Sequence, residues 1–197
     1  MYLIVTRSFP PDVGGMQNLM WGLTSELSKH YMLKVFADYH INQKDIDEKV
    51  SFTTERVGGI KLLRKYRKAY LVNEFIKCNK INAVIADHWK SLELIKTNKK
   101  KVCLIHAKEI NHEKGTLLNK RVLDVLNNIE VIVANSEYTK KLAIDLGVEE
   151  DKIVVINPGV DAVQILDKKL LNEVEDLLKN KTPRLITISR FEKRKNH

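Results

Sequence analysis

The chain has 197 residues, which exceeds the usual length of one domain but is short for two. Its residues are 44% hydrophobic and 30% charged, and no apolar run approaches the roughly 18 residues that span a bilayer, so we expect a soluble globular protein. The formal net charge of +9 favours an anionic partner, such as nucleic acid, an anionic membrane face or phosphorylated small molecules.

The two cysteines, Cys78 and Cys103, lie in a helical stretch and in an apolar strand-like run. Neither CxxC nor a Cys/His spacing that could hold zinc occurs, so the cysteines predict packing residues in a reducing cytoplasm and no metal site. The apolar start, residues 1–5, is too short for a signal peptide and is interpreted as a strand.

Short β-rich apolar runs alternate with helical patterns along the chain. The first strand is expected at residues 2–6, and a breaker-rich turn then leads into a helix with an apolar stripe from Met16 to Leu27. Further strands are expected at residues 33–37, 50–54, 83–86, 102–106, 131–134 and 153–156. Helices are expected from residue 61 toward Cys78 and at residues 91–96, 117–127 and 137–146, with a loop at residues 42–49. This order predicts an α/β fold, a Rossmann-like parallel sheet with helices on both faces.

The last part of the chain changes character. Residues 166–180 predict a helix, the segment 181–183 breaks it, and residues 184–189 predict a new strand. A parallel sheet is buried on both faces, so a strand without a covering helix predicts the start of a second, truncated domain. We therefore expect an N-terminal domain at residues 1–165, a linker helix and turn at 166–183, and the first strand and phosphate loop of a second domain at 184–197.

The segment from residue 61 to residue 70 predicts a basic amphipathic helix. Its basic side chains gather on one side: Lys61, Arg64, Lys65 and Lys68. Its apolar side chains gather on the other: Leu62, Leu63, Tyr66, Ala69 and Tyr70. Such a helix can lie on an acidic membrane, or it can be an ordinary surface helix with a solvated basic face.

A glycine-rich turn joins the first strand to the first helix. Gly14 and Gly15 let a ligand approach the backbone, and the N-terminus of the helix offers free N–H groups to a phosphate. The pattern matches neither a dinucleotide nor a P-loop fingerprint. The alternative is a turn that only starts the helix.

Polar residues just after the strands are candidates for the ligand site, because ligands of open α/β sheets collect at the carboxyl ends of the strands. The candidates after three successive strands are Asp87, His88, His106, Lys108, Glu109 and Asn135. His106 can hydrogen-bond a substrate or move a proton, and a structural loop histidine is the alternative. Ser136 is expected to cap the following helix.

Arg190 and Lys195 lie in a cluster of basic residues after the last predicted strand. A guanidinium and an ammonium on one loop suit a diphosphate. A basic tail without a ligand is the alternative.

Five motifs, in this order and spacing, resemble glycosyltransferase family 4 over the whole chain. They are FPPDVGGMQ at residues 9–17, ADHW at 86–89, VANSE at 133–137, KIVVINPGVD at 152–161 and ISRFEKRKN at 188–196. The resemblance implies the N-terminal, acceptor-side domain of a two-domain GT-B enzyme that transfers sugar from a nucleotide-sugar with retention of configuration. Asn196 stands where the family usually has glycine.

The resemblance also implies roles for single residues. Gly14 and Gly15 match the glycine pair near the donor phosphates and sugar, and His106 looks like the cleft histidine that faces the transferred sugar. Arg190 and Lys195 match the pair that neutralises the donor diphosphate, a role that needs no metal and no other cofactor. In many relatives a basic helix touches the membrane, which favours that role for Lys61 and its basic neighbours.

The sequence therefore predicts a cytoplasmic envelope or polysaccharide glycosyltransferase, peripheral on the inner face of the membrane. The expected partners are a nucleotide-sugar donor, a lipid-linked or glycan acceptor and an anionic membrane surface, and the 197 residues alone are expected to be inactive. Two alternatives remain: a non-enzymatic Rossmann-like module for an anionic partner, and another GT-B enzyme such as a nucleotide-sugar epimerase. Nucleic acid is disfavoured, because the basic residues are not interleaved with stacking aromatics.

Overall fold

The computed structural model describes residues 1–160 and 167–188. The chain divides into two compact units, Met1–Gly159 and Val160–His197. The first unit contains the sheet, and the second contains the helix Lys168–Leu178. The predicted bounds at residues 165 and 183 stay predictions.

Seven parallel strands form one sheet in the order β3-β2-β1-β4-β5-β6-β7. The strands are β1 Tyr2–Val5, β2 Leu33–Asp38, β3 Thr53–Val57, β4 Ala83–Ala86, β5 Lys100–Ile105, β6 Val131–Ala134 and β7 Ile153–Val155. The chain builds outward from β1 to one edge, returns to β4 beside β1, and then builds outward to the other edge. The strand order therefore reverses between β1 and β4.

The helices of the first unit connect these strands. They are α1 Gly15–Ser28, α2 Lys44–Asp47, α3 Lys61–Cys78, α4 Trp89–Leu92, α5 Ala107–Ile110, α6 Leu117–Leu126 and α7 Glu137–Leu146, and α8 is Lys168–Leu178 of the second unit. A single 3₁₀ turn, Glu150–Lys152, precedes β7.

The core consists of two hydrophobic clusters, one on each face of the sheet. Leu3 and Val5 of β1 belong to the first cluster, and Ile4 between them belongs to the second. This alternation follows from the two-residue period of a strand. The first cluster includes side chains of α3, α4, α6 and α7, and the second includes Met20 of α1. The predicted parallel sheet with helices on both faces is confirmed.

Several predicted boundaries match the structure without change, namely Ala83–Ala86, Val131–Ala134 and Glu137–Leu146. The predicted loop at residues 42–49 is wrong, because one helical turn, Lys44–Asp47, forms there. The third strand is Thr53–Val57 and not residues 50–54, since its ladder with β2 continues to Val57. Arg56 is tolerated in this strand because Asp47 neutralises its guanidinium at 2.6 Å.

Helix α4 begins earlier and is shorter than the predicted 91–96. The Nδ1 atom of His88 accepts a hydrogen bond from the backbone N–H of Lys90 and so caps the helix start. Asn73 then binds the backbone beyond the helix: its Nδ2 donates to the Leu94 carbonyl at 3.0 Å, and its Oδ1 accepts from the Lys96 N–H at 2.8 Å. These side-chain bonds replace the bonds that would continue the helix.

The strand predicted at residues 184–189 does not form at residues 184–188. A strand needs a partner to receive its backbone hydrogen bonds, and the described part of the second unit contains no other strand.

Candidate active site at the carboxyl edge of the sheet

The reversal of strand order between β1 and β4 marks the place where ligands of open α/β sheets bind. Asp87 follows β4 and is only 1% exposed. Its Oδ2 accepts hydrogen bonds from Thr6 Oγ1 at 2.7 Å and from the backbone N–H groups of Arg7 and Ser8, each at 3.1 Å. Its Oδ1 accepts from Ser91 Oγ at 3.1 Å. The predicted cleft-lining role of Asp87 is therefore wrong: the buried carboxylate positions the loop after β1.

The glycine turn leads into α1, whose N-terminus has no side-chain cap. Gly14 has a φ of 165°, an extended backbone that any residue adopts, so conformation does not require glycine there. Gly15 opens the helix, and a Cβ at this position would meet nothing within 4 Å. The first turn of α1 thus combines uncapped N–H groups with open space, which favours an anion at this point.

Arg56 of β3 holds the loop that precedes this turn. Its Nη2 donates a hydrogen bond of 2.7 Å to the carbonyl oxygen of Pro10, and its guanidinium lies 5.3 Å from the ring centre of Phe9. Only 4% of the Arg56 side chain is exposed, and Asp47 balances its charge. The loop after β1 is therefore fixed from β3, two strands away in the sheet.

His106 follows β5 and starts the short helix α5. The carboxylate of Glu109 accepts a hydrogen bond from the backbone N–H of His106, and Trp89 Nε1 donates to the Glu109 carbonyl at 2.9 Å. These bonds fix α5 beside α4. The Nε2 atom of His106 is buried and has no hydrogen-bond partner within residues 1–160 and 167–188. Five buried polar side-chain atoms of the described residues lack a partner, and among them this one alone follows a strand at its carboxyl end, where ligands of open α/β sheets bind.

Burial changes the titration of three side chains at this edge. Burial, reinforced by the charges of Arg7 and Lys90, lowers the pKa of His88 to about 3. Burial also lowers the pKa of His106. Burial raises the pKa of Glu109 to about 7, against the opposing effect of its hydrogen bonds. Near neutral pH both histidines are therefore uncharged and Glu109 can exchange a proton.

The structure brings some predicted residues together and leaves others apart. Three of them form one group: His88, His106 and Glu109. The charge of His106 lowers the pKa of His88. The charge of Asp87 favours a higher pKa for both His106 and Glu109. Lys108 is exposed, and its side chain forms no hydrogen bond within the described chain.

Asn135 follows β6, outside this group. Its Oδ1 accepts a hydrogen bond from Thr139 Oγ1 at 2.6 Å. Ser136 caps α7 by accepting from the backbone N–H of Thr139 at 3.2 Å, so the predicted capping role is confirmed.

The basic side of helix α3 is partly buried, which differs from both expectations, although Lys61 at its start is exposed. Lys68 is 4% exposed, forms an ion pair with Asp38, and donates a hydrogen bond of 2.5 Å to the Thr6 carbonyl. Arg64 is half-buried and also pairs with Asp38, at 3.2 Å. The predicted membrane-facing role of Lys68 is wrong, because its side chain is buried and bonds to the chain that follows β1.

Four of the five apolar side chains at residues 61–70 of α3 are exposed, Leu62, Leu63, Tyr66 and Tyr70, whereas Ala69 is buried in the first hydrophobic cluster. Leu62 is 82% exposed. The sequence pattern of a helix shows which residues share a side, but the groups that the helix meets at the carboxyl ends of the strands decide which residues are buried. Here Asp38, at the end of β2, supplies the charge that attracts the basic side.

Three cationic residues that were not predicted also lie near this edge, Arg7, Lys90 and Arg121, and all line one pocket with α3. Arg7 and Lys90 follow β1 and β4 closely, so the rule that singled out Asp87 could have found them. Arg121 lies inside α6, and no signal in the sequence connects it to this place.

The predicted diphosphate ligands Arg190 and Lys195 lie outside the described residues. No helix among those described is both long enough and apolar enough to cross a membrane. The described chain also lacks any group of three His, Cys, Asp or Glu side chains that could hold a metal ion.

The parallel sheet and the order of its strands define a class, the Rossmann-like α/β domains, and the fold matches that of the N-terminal domains of GT-B glycosyltransferases. The chain belongs to glycosyltransferase family 4, since the model described as Glycosyltransferase Family 4 matches residues 13–164. No curated protein matches the sequence.

Several solved structures share the fold. HepE of Anabaena in complex with UDP is 15% identical with a TM-score of 0.67, and the match covers 90% of this chain and 49% of that one. A glycosyltransferase of Rickettsia africae is 17% identical with a TM-score of 0.65, covering 92% and 50%. The UDP-N-acetylglucosamine 2-epimerase of Rickettsia bellii is 11% identical with a TM-score of 0.56, covering 92% and 48%. The chain thus spans about half the length of these structures.

Proposed function

We propose that the chain is the acceptor-side domain of a retaining glycosyltransferase that moves a sugar from a nucleotide-sugar to an envelope lipid or polysaccharide acceptor. Membership of family 4 supports sugar transfer. One observation carries the assignment of the site: the buried Nε2 of His106 has no partner at the edge of the sheet where ligands of this fold bind.

In this proposal one group of residues binds the donor with its sugar, and a second group binds the acceptor. Gly14 and Gly15 approach the donor, with Arg190 and Lys195 as its diphosphate ligands, so that charge on the leaving nucleotide is stabilised without a metal or cofactor. His106 hydrogen-bonds the transferred sugar. The acceptor contacts four residues: His88, Lys108, Glu109 and Asn135. Glu109 is suited to accept a proton from the acceptor hydroxyl, because burial raises the pKa of Glu109 to about 7.

The test is a donor screen with the full polypeptide that carries this chain. UDP-, GDP- and ADP-sugars are titrated by calorimetry, and hydrolysis of each is followed with and without lipid-linked acceptors. We expect one nucleotide-sugar to bind and to be consumed. A polypeptide that neither binds nor hydrolyses any of them contradicts the proposal.

A nucleotide-sugar epimerase is the second candidate, because the Rickettsia bellii enzyme has a similar fold. The same screen separates the two reactions. An epimerase converts the nucleotide-sugar without acceptor and without releasing nucleotide, whereas a transferase releases nucleotide and depends on acceptor. The match to family 4 favours transfer.

We also propose that the protein lies on the inner face of the cytoplasmic membrane through α3. Four apolar side chains of this helix are exposed, Leu62, Leu63, Tyr66 and Tyr70, and Lys61 lies at its start. An exposed apolar stripe beside a cation suits an anionic bilayer surface.

Vesicle sedimentation tests this attachment. We expect binding to vesicles that contain phosphatidylglycerol and weaker binding to phosphatidylcholine alone. Leu62→Gln with Leu63→Gln should reduce binding, whereas Leu117→Gln, at an equally exposed leucine of α6, should not. Equal sedimentation of all three proteins would refute the attachment.

A further inference from the structure

A pocket of about 360 Å³ lies between α3 and the chain that follows β1 and β4. Seven of its lining side chains are lysine or arginine, and one, Asp38, is acidic. All belong to the first unit of the chain. The pocket is therefore strongly cationic within a single compact domain.

The carboxylates near this pocket neutralise only some of its cations. Asp38 pairs with Lys68 and with Arg64. Glu93 binds the Arg121 guanidinium through two hydrogen bonds, at 2.8 and 2.9 Å, and lies 3.6 Å from Lys65.

Three cations of the pocket remain: Arg7, Lys61 and Lys90. They form no ion pair with any residue that the structure describes. The pocket thus has an excess of positive charge with nothing in the described chain to balance it.

The cations are close enough to disturb one another. Burial lowers the pKa of Lys90, and the charges of Arg7, Arg121 and Lys65 lower it further, while Glu93 opposes them. Like charges held together in this way oppose folding, so their arrangement is better explained by a bound anion than by stability.

Both charge and shape identify the class of anion. A carboxylate would balance one cation, whereas a phosphate ester or diphosphate carries two or three negative charges and several acceptor oxygens for arginine and lysine. The pocket wall also includes apolar residues, Val5, Ala69 and Leu94, and Leu62 at its rim is 82% exposed. A hydrocarbon chain can therefore leave the pocket over the apolar side of α3.

We propose that this pocket binds the phosphate or diphosphate group of the acceptor, held by Arg7, Lys61 and Lys90. The identification of the ligand as the acceptor rests on the proposed function. The anion site itself rests only on the cluster of cations in the pocket. The phosphate can be carried by a lipid or by a soluble molecule, and the experiment distinguishes these sources.

The experiment is calorimetry on the full chain without nucleotide-sugar. The ligands are inorganic diphosphate, farnesyl diphosphate and farnesol. We expect inorganic diphosphate to bind, and Arg7→Gln and Lys90→Gln each to weaken binding about tenfold, since each removes one charge-assisted contact. Neither side chain makes a hydrogen bond within the described residues, so both variants should fold, and circular dichroism checks this.

Lys80→Gln is the matched control. Lys80 is exposed and lies before β4, at the opposite edge of the sheet, so its replacement should leave the affinity unchanged. Tighter binding of farnesyl diphosphate than of inorganic diphosphate, reduced by Leu62→Gln, identifies a lipid source. Equal affinities identify a soluble phosphorylated acceptor.

Absence of diphosphate binding at millimolar concentration overturns the proposal, and so does equal binding by the native chain, Arg7→Gln and Lys90→Gln. Because no sugar donor is present, these outcomes are independent of the transfer assay. Transfer with no effect of the two variants contradicts the pocket alone, whereas diphosphate binding without any transfer contradicts the proposed function alone.

Discussion

The carboxylate of Asp87 accepts a hydrogen bond of 2.7 Å from the hydroxyl of Thr6. This bond joins the ends of β1 and β4 at the point where the strand order reverses. The same oxygen accepts from two backbone N–H groups, and the other oxygen accepts from Ser91. One buried side chain therefore fixes the loop that leads toward the glycine turn.

Replacement of Asp87 should destabilise the protein to a degree that depends on the substitute. Asp87→Ala leaves four donors without their acceptor, and we expect it to lower the free energy of unfolding by about 3 kcal/mol. Asp87→Asn can keep its oxygen toward the three donors and turn its amide toward the Ser91 hydroxyl, which can accept, so we expect a loss of about 1 kcal/mol. Urea unfolding measures both values. Equal losses would show that the hydrogen bonds are not the cause.

The depressed pKa of His88 predicts a loss of stability in acid. Because the folded pKa, about 3, lies below the unfolded value, its contribution is present above pH 6.5 and is lost as the pH falls toward 3. His88→Asn retains an acceptor for the Lys90 N–H but does not titrate. We expect the native protein to lose about 1 to 2 kcal/mol relative to this variant between pH 6.5 and 4, after allowance for solvent screening. An equal difference in the free energy of unfolding between the two proteins at both pH values would contradict this.

The raised pKa of Glu109 predicts the opposite dependence of stability on pH. Its folded pKa, about 7, is raised, so its contribution is present below pH 4.5 and is lost as the pH rises through 7. Glu109→Gln keeps an oxygen for the backbone N–H of His106 and cannot ionise. We expect the stability of the native protein relative to this variant to fall by about 1 to 2 kcal/mol from pH 4.5 to 7.5, in denaturant titrations at each pH. A constant difference between the two proteins would exclude the effect.

Gly15 offers a test that separates ligand binding from folding. A Cβ at this helix position meets nothing within 4 Å, so Gly15→Ala should leave stability unchanged or raise it by up to about 1 kcal/mol. If the donor approaches the backbone here, the added methyl group should lower transfer by about tenfold, because it displaces the phosphate from the N–H groups.

Gly22→Ala is the control for Gly15→Ala. Gly22 lies in the same helix, and its Cβ would also meet nothing within 4 Å. We expect a similar or larger gain in stability with unchanged transfer. Equal transfer by both variants would remove Gly15 from the donor site.

His106→Asn should reduce the turnover number of the complete enzyme by about 100-fold, since it withdraws the unpaired Nε2 from the sugar. His30→Asn, at an exposed histidine after α1, should have no effect. Transfer kinetics at saturating donor measure both. An unchanged turnover number for His106→Asn would assign this histidine to the loop structure instead.

Much of the sheet could be predicted from the sequence because its strands are short β-rich runs with clear breaks. Ala83–Ala86 and Val131–Ala134 follow this pattern, and Ser136 supplies the start of α7 by a local bond to Thr139. Such signals depend on residues a few positions apart. They predict elements well and contacts poorly.

The orientation of α3 could not be predicted for this reason. The sequence pattern separates its basic side from its apolar side, but Lys68 is buried because Asp38, 30 positions earlier, meets it at the sheet edge. The cationic pocket likewise depends on Arg7, Lys90 and Arg121 from three distant segments. Neither feature has a local signal.

The fluorescence of Trp89 can report the binding of an anion in the cationic pocket. Its ring is fully buried, with the Lys90 ammonium 5.0 Å and the Arg121 guanidinium 5.6 Å from the ring centre. The other tryptophan, Trp21, packs against Phe9 and Phe52, and Trp21→Phe would leave one indole in the chain. The emission of an indole depends on the charges beside its ring, so an anion that draws Lys90 or Arg121 away changes the fluorescence. The protein thus contains its own optical reporter for whatever enters the pocket beside α4.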